Sequence, residues 1–560
     1  DLLICEGTAR EDTFNVAAAT GAVTLESAIP TGYLLHIPIN QIGVERLELD
    51  GLEGDDHFNL TSDLPYSMAF LAGGGPGGSD STTILGTVGV DDDFAFYLGS
   101  THGEGTVVLN AIPVAYRGLE EINLLGDPPD LDALQINGSL ASEVWEIQRG
   151  SLLYGTQVQI DRRETVNYGQ FVDTEVRPDS IGFGGDDRFR VHPAYIPNIT
   201  VTGSSVDVLE IIGTNKSDAV ILNDGVATLS ITSTFYSGIS QLNVFGLEGD
   251  DIATVDVDGT PLIAVPIMFD GGVGFDTLRL QGVPLTGATA ATYSPGPAEG
   301  EGRVQHLDGA ATMTIDFVNL EPVIDLVPGT LTVNGTNANN AINYVQGSVA
   351  ANGLVSVDNF EPIEFSNKTD LTINAGPLDD QINLNNASLP TGLATITVNA
   401  GEGNDRVVMA GLPAPLAVTV NGGFGDDFID GTLVPGAVLI LNGNEGNDVL
   451  KGGAAGDTIN GGDGDDTMVG GGGNNIFDGG AGFDTILIPG TPGDDVIDVN
   501  QTAAGALVNT VNGNTQTDTL VLAAGVRTVE SARIEAGDGE DLIRVSWLDA
   551  LGVDAFANSL

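Results

Sequence analysis

Between Gly443 and Leu487 the chain reads GNEGNDVLK, GGAAGDTIN, GGDGDDTMV, GGGGNNIFD and GGAGFDTIL, five nine-residue units joined without a gap. Position one is glycine in every unit: Gly443, Gly452, Gly461, Gly470 and Gly479. A main chain that bends sharply and aims its carbonyls inward calls for residues without a Cβ, so positive φ is expected at these glycines. Position six carries Asp448, Asp457, Asp466, Asn475 and Asp484, and position eight is apolar throughout, as Leu450, Ile459, Met468, Phe477 and Ile486. Each unit therefore reads as a turn of four or five residues followed by a short strand that sends one side chain into a core. A low-complexity Gly/Asp loop would be rich in glycine too, but it would not keep this register through five units.

Hard cations such as calcium take six to eight oxygen ligands from carboxylates and main-chain carbonyls, and a Gly-Asp turn stacked on a copy of itself offers both. On these residues the run resembles the haemolysin-type (RTX) calcium-binding repeat, a sequence signature of a parallel β-helix. The resemblance implies that two nonapeptides make one coil of a β-roll, with Ca2+ between turns two repeats apart. It places Asp448, Asp466 and Asp484 on one edge, and Asp457 and Asn475 on the other. Asn475, and Ala455 in place of the usual fourth-position glycine, depart from the pattern and make the first edge the tighter one.

The same frame recurs upstream at a longer pitch, as GGFGDDFID at Gly422, AGEGNDRVV at Ala400 and AGPLDDQIN at Ala375. Successive starts lie 25, 22 and 21 residues apart before Gly443. One coil there needs one Gly-Asp turn, the opposite edge being closed by proline-bearing corners, AGLPAP (Ala410 to Pro415) and GTLVPGA (Gly431 to Ala437). Asp380, Asp405, Asp427, Asp448, Asp466 and Asp484 are expected to form a single file. Isolated copies place Asp56, Asp187, Asp251, Asp276 and Asp541 at position six of GLEGDDHFN, GFGGDDRFR, GLEGDDIAT, GGVGFDTLR and AGDGEDLIR, and GPGGSDSTT follows at Gly75. Each isolated copy reads equally as an ordinary Gly/Asn/Asp turn.

Looser copies open with Gly-Thr: GTAREDTFN (Gly7), GTVGVDDDF (Gly86), GTNKSDAVI (Gly213), GTNANNAIN (Gly335) and GTPGDDVID (Gly490, with Asp495 at position six), with GSLASEVWE (Gly138) as a weaker sixth. Copies with Asn340 or Glu143 at position six are expected to keep the bend without the metal. These heads divide the chain into repeat modules over 1–85, 86–212, 213–334, 335–489 (containing the regular β-roll 443–487) and 490–560. The expected fold is all-β, a parallel β-solenoid built from Gly-Asp-rich repeats in serial modules.

Glycine fills 78 of 560 positions, about double the usual share of roughly 7%. No apolar run approaches the roughly 18 residues of a membrane helix, so no membrane insertion is expected. Against 78 acidic residues stand 18 basic ones, a formal charge of −60. That charge opposes compaction unless counter-ions neutralise it, which couples folding to bound cation. It also argues against a nucleic-acid partner, whose phosphates need clustered Lys and Arg. Cys5 stands alone, so no intrachain disulfide is available.

The sequence shows no H-E-x-x-H, nucleophile elbow or phosphate loop, and its five histidines are scattered, so no catalytic role is expected. Between Trp145 and Tyr195 the repeats fade, and 6 of the 18 basic residues fall there: Arg149, Arg162, Arg163, Arg177, Arg188 and Arg190. This stretch reads either as a docking patch or glycan-binding groove, or as an inserted hairpin whose arginines pair with nearby acids. The tail SWLDALGVDAFANSL reads as a cap on the solenoid or as a surface for a neighbour. The chain starts at Asp1 without a charged-then-apolar leader, so a removed signal and a longer parent chain are both open.

Taken together, these features predict a calcium-stiffened structural or adhesive component, as a filament, surface layer or stalk, and the resemblance to the RTX repeat implies that it stands at a cell surface or in the extracellular space. Its partners would be further copies, end to end, and a cell-surface glycan. Two other readings remain: a secretion and folding module of a larger extracellular enzyme or toxin, and a polysaccharide-active β-helix using Arg162 or Arg163.

Overall fold

In a computed structural model the described residues are all strand, turn and bend, without a helix. They comprise 2–17, 20–28, 34–39, 44–61, 63–74, 79–85, 93–98, 104–117, 119, 121–125, 133–137, 144–149, 156–160, 165–169, 173–177, 188–192, 198–203, 206–229, 232–501, 506–523, 526–529 and 531–546. Two compact units are present, one of residues 1–255 with 263–276, the other of 256–262 with 277–560.

In the second unit the chain winds between two parallel sheets. One sheet stacks Gly329–Asn334, Lys368–Pro377, Thr395–Glu402, Ala417–Phe424, Val438–Glu445, Thr458–Asp463 and Ile476–Ala481. The other stacks Ala341–Gln346, Gln381–Asn385, Arg406–Ala410, Phe428–Leu433, Val449–Lys451, Thr467–Val469 and Thr485–Pro489. Consecutive nonapeptides thus feed opposite sheets. Alternation along each strand puts every second side chain inside, and parallel register lays equivalent residues on one another. Val333, Ile373, Val398, Val420, Leu441, Ile459 and Phe477 form one buried file, and Ile342, Ile382, Val407, Ile429, Leu450, Met468 and Ile486 form the file that faces it.

Beside the first file runs a ladder of amides. Asn374, Asn399, Asn421, Asn442 and Asn460 each donate from Nδ2 to the Oδ1 of the asparagine one coil earlier, at 3.0, 2.8, 2.8, 2.7 and 2.6 Å. Such ladders need identical residues at identical heights, and so they reinforce register.

The stack is not uniformly parallel. Short three-strand meanders interrupt it, in each of which the middle strand runs antiparallel to both neighbours. In the second unit they are Thr289–Pro295 with Gly302–Asp308 and Ala311–Val318, Ala341–Gln346 with Gly353–Val357 and Ile363–Phe365, and Val496–Gln501 with Leu507–Val511 and Asn514–Leu520. The first unit has four more among the described residues, beginning at Asp12, Asp93, Val144 and Ala219. The outer strands of a meander continue the parallel stack: Val144–Arg149 pairs in parallel with Arg188–Val191, and Thr165–Gly169 with Glu121–Leu125. Six of the seven meanders start five to seven residues after a Gly-Thr or Gly-Ser head. The exception, at Thr289, has no such head.

The proline-bearing corners close the edge opposite the aspartate file. Leu412 and Val434 tuck inward, and Leu416 N–H and Val434 N–H close turns on Pro413 O and Gly431 O. Leu441→Ala would open a cavity between stacked neighbours and is expected to cost about 2–5 kcal/mol, measured as a lower urea midpoint at fixed calcium.

Candidate metal centre

Six aspartates of the second unit stand one above another, all buried: Asp380, Asp405, Asp427, Asp448, Asp466 and Asp484. Their Oδ1 atoms make a ladder. Oδ1 of Asp405 accepts the N–H of Asp380 at 2.7 Å, Asp427 that of Asp405 at 2.8 Å, Asp448 that of Asp427 at 2.7 Å, Asp466 that of Asp448 at 2.8 Å, and Asp484 that of Asp466 at 2.9 Å. The same contacts recur in the first unit, from Asp12 to Asp56, Asp56 to Asp80, Asp218 to Asp251 and Asp251 to Asp276, at 2.9, 2.7, 2.6 and 2.7 Å. Position five carries a second, exposed ladder through Asp379, Asn404, Asp426, Asn447 and Asp465. Alternating acid and amide there spares the edge a second unbroken row of like charges.

The other carboxylate oxygen separates two kinds of turn. On Asp56, Asp251, Asp380, Asp405, Asp427, Asp448 and Asp466, Oδ2 is buried and accepts no hydrogen bond. In each of those turns position two has positive φ: Leu52 74°, Leu247 82°, Gly376 121°, Gly401 126°, Gly423 121°, Asn444 80° and Gly462 127°. Thr8, Thr214, Gly453 and Thr491 occupy position two without positive φ, and their N–H groups donate to Oδ2 of Asp12, Asp218, Asp457 and Asp495. Inverting φ at position two turns its N–H away and leaves the carboxylate half-satisfied. Leucine tolerates that region poorly, so the turns at Leu52 and Leu247 store strain beside an unmet acceptor.

The Gly-Thr heads at Gly7, Gly213 and Gly490 are thus self-sealed. Thr491 also donates Oγ1–H to Oδ1 of Asp495, which the Asn512 amide reaches as well, so both oxygens of Asp495 are engaged. Asn340 is held by Thr336 and Asp358. The second edge is likewise engaged. Asp457 accepts from Leu439 N–H at 2.9 Å and from Gly453 N–H at 2.6 Å, and its own N–H goes to Asn475 Oδ1. Asn475 rests on Asp518, whose other oxygen takes the Asn509 amide. No sequence signal marks Asp518, because it arrives from a meander strand and not from a glycine turn. Asp12, Asp80 and Asp218 also belong to the ladders without having been singled out as ligands. Asp541 ends its ladder half-buried, with Oδ1 on the Asp495 N–H. Asp187 lies outside the described residues, as does the tail from Trp547.

The expected role of the position-one glycines is corrected. Gly443, Gly452, Gly461, Gly470 and Gly479 do not take positive φ. A Cβ on Gly443 or Gly461 would instead stand 2.1 or 2.2 Å from Oδ2 of Asp448 or Asp466. The requirement is room for the carboxylate, while left-handed backbone falls on positions two and four.

Of the Arg-rich segment, Arg188 and Arg190 are described at side-chain level, and both meet the buried Glu210, Nε to carboxylate oxygen at 3.4 and 2.8 Å. These two arginines pair with a nearby acid, and strands Val144–Arg149, Thr156–Ile160 and Thr165–Gly169 form an inserted antiparallel meander. The side chains of Arg149, Arg162, Arg163 and Arg177 lie outside the described residues.

A buried carboxylate oxygen without a donor fits a cation. Among the described residues no three or more acidic, His or Cys side chains converge on a point. An ion along this file would therefore draw on one or two carboxylates and on main-chain carbonyls, a donor set that calcium accepts. The family model for the RTX calcium-binding nonapeptide repeat matches in four copies, over residues 417–433, 440–468 and 451–486. The chain carries an RTX calcium-binding array. A search of curated proteins returns no match. Asp427, Asp448 and Asp466 lie inside the matched array; Asp380, Asp405, Asp56 and Asp251 share its geometry outside it.

Burial, with repulsion from neighbouring carboxylates, pushes Asp427 and Asp56 up to about 7, and Asp251, Asp380 and Asp466 up to about 6, against the partial relief of the N–H each accepts. The folded pKa values exceed the unfolded ones, so folding takes up protons. Their stabilising contribution is complete below the unfolded pKa and is lost as pH rises through about 6 to 7. Calcium-stripped protein should melt at higher temperature at pH 5 than at pH 8, whereas calcium affinity of the RTX array should fall over the same acidification. Calorimetric melting and calcium titration across that range check both trends.

Asp427→Asn and Asp448→Asn keep the Oδ1 acceptor but remove the free carboxylate oxygen, and each should lower calcium stoichiometry by isothermal titration. Asp457→Asn should leave stoichiometry unchanged and destabilise by about 1–3 kcal/mol, because its amide opposes the Gly453 N–H.

Proposed function

We propose that this protein is an extracellular or cell-surface structural or adhesive component, a filament, surface-layer or stalk element, whose coils are rigidified by Ca2+ along the aspartate file. The observation that carries the reading is the uninterrupted ladder from Asp380 to Asp484, in which successive coils are registered through one carboxylate oxygen while, on Asp380, Asp405, Asp427, Asp448 and Asp466, the other oxygen is left for a cation. An array of this kind turns external calcium into stiffness, since each bound ion relieves repulsion between neighbouring carboxylates and couples metal to folding. The surplus of 78 acidic over 18 basic residues supports a fold completed where calcium is plentiful. Parallel strands that stack within one copy pair in the same way between copies, so end-to-end association of copies is the assembly proposed. A cell-surface glycan is the second partner proposed.

Titration of the purified chain with calcium, followed by circular dichroism and electron microscopy with magnesium and chelator as controls, tests the reading. Calcium-specific gain of β-structure with rods or fibres is expected. Gain of structure with dispersed monomers at high protein concentration would overturn the assembly role and leave a folding module of a larger secreted protein.

A further inference from the structure

In the second unit, away from the aspartate file, three ionisable side chains meet inside the core. Lys368 Nζ stands 2.8 Å from Asp325 Oδ2, and His306 Nε2 stands 3.3 Å from the same oxygen, with all three side chains fully buried. Lys368 also donates to Val327 O at 2.5 Å, His306 Nδ1 meets Thr289 Oγ1 at 2.7 Å, and Asp325 Oδ1 takes the Val327 N–H at 3.0 Å. Burial pushes the Asp325 carboxyl up, but the Lys368 ammonium and the His306 ring outweigh it and hold it below the usual carboxylate range. Asp325 ends strand Val323–Asp325, which pairs in parallel with Ile363–Phe365 of the next coil, and Lys368 opens the strand that follows. The contact therefore joins consecutive coils, 43 residues apart (368 minus 325).

A buried ion pair is a poor stabiliser, because desolvating both charges offsets most of their attraction. Neither the array nor the ladders use this one. An amine and a carboxyl group fixed in contact and shielded from water, however, are arranged for condensation: intramolecular fixation supplies effective molarities of roughly 10⁵–10⁸ M. The burial that makes the charges costly also favours a neutral amide in their place.

We propose that Lys368 and Asp325 form an intramolecular isopeptide bond, with His306 as the proton carrier, that locks one coil covalently to the next. The ammonium of Lys368 passes a proton to Asp325 Oδ2, giving neutral amine and acid. Nζ attacks Cγ. His306 Nε2 takes the second proton from nitrogen and delivers it to the departing Oδ2 hydroxyl, the Cγ–Oδ2 bond breaks, and one water leaves. No net proton and no electron is exchanged, and no co-reactant is needed. His306 is a catalytic residue in this step and is unchanged at its end.

Intact-mass measurement of the purified full chain tests the bond without any variant: the protein should be lighter than its sequence by one water. A tryptic digest should yield a branched peptide joining the segments around Asp325 and Lys368, with no cleavage after Lys368. Lys368→Arg keeps the positive charge but cannot form the amide, and should restore the full sequence mass. His306→Gln should slow appearance of the bond in freshly folded protein while leaving its final mass lowered. Wild-type chain at full sequence mass, with normal cleavage after Lys368, would overturn the proposal and leave a buried ion pair. The readout does not depend on calcium, so it stands or falls separately from the array.

Discussion

Each coil of the RTX-bearing stack is fixed to the next by one repeated contact, a carboxylate oxygen accepting the main-chain N–H of the aspartate one coil earlier. Charge-assisted bonds of this kind are stronger than neutral ones and demand equal height in successive coils, so they hold register together with side-chain packing. They also bury a row of like charges. The fold is consequently strained electrostatically in proportion to its order, and a cation at the remaining oxygens resolves both the repulsion and the unmet acceptors. Packing of Leu441 between Val420 and Ile459, or Leu450 between Ile429 and Met468, depends on that register being kept.

The backbone sorts the turns. Where position two keeps ordinary φ, its own N–H satisfies the aspartate and the turn needs no metal. Where φ is inverted, as at Gly423, Asn444 and Gly462, the carboxylate of Asp427, Asp448 or Asp466 is left open. Among the described residues, sealed turns thus stand at the meander heads of Gly7, Gly213 and Gly490 and open turns inside the stacks, made from nearly the same residues. Meanders add an antiparallel strand to the solenoid while their outer strands preserve the parallel stack on either side, so in the second unit the stack continues past the insertion at Gly353–Val357.

Away from the turns, the core holds charge in a different way. Asp325, Lys368 and His306 are drawn from a short strand, the start of a long one and the middle of a meander, and nothing local in the sequence relates them. Their fully buried contact concentrates on one carboxylate oxygen what the aspartate file spreads over many coils.

The sequence by itself determined the repeat, the all-β solenoid and the membership of the file from Asp380 to Asp484, because period, apolar position eight and acidic position six are local properties that survive without coordinates. It also marked the heads of six meanders, through Gly-Thr or Gly-Ser, without revealing the meanders themselves. Tertiary structure alone decided which carboxylates are open. That choice depends on the φ of one residue and on the coil stacked above it, as Asp457 and Asp448 show: both sit at position six, but only the second keeps an oxygen free. It also decided why position one must be glycine, which is room for a side-chain oxygen and not backbone freedom. Asp518 and the Lys368–Asp325–His306 cluster were illegible for the same reason: residues that meet only when coils stack leave no period in the chain.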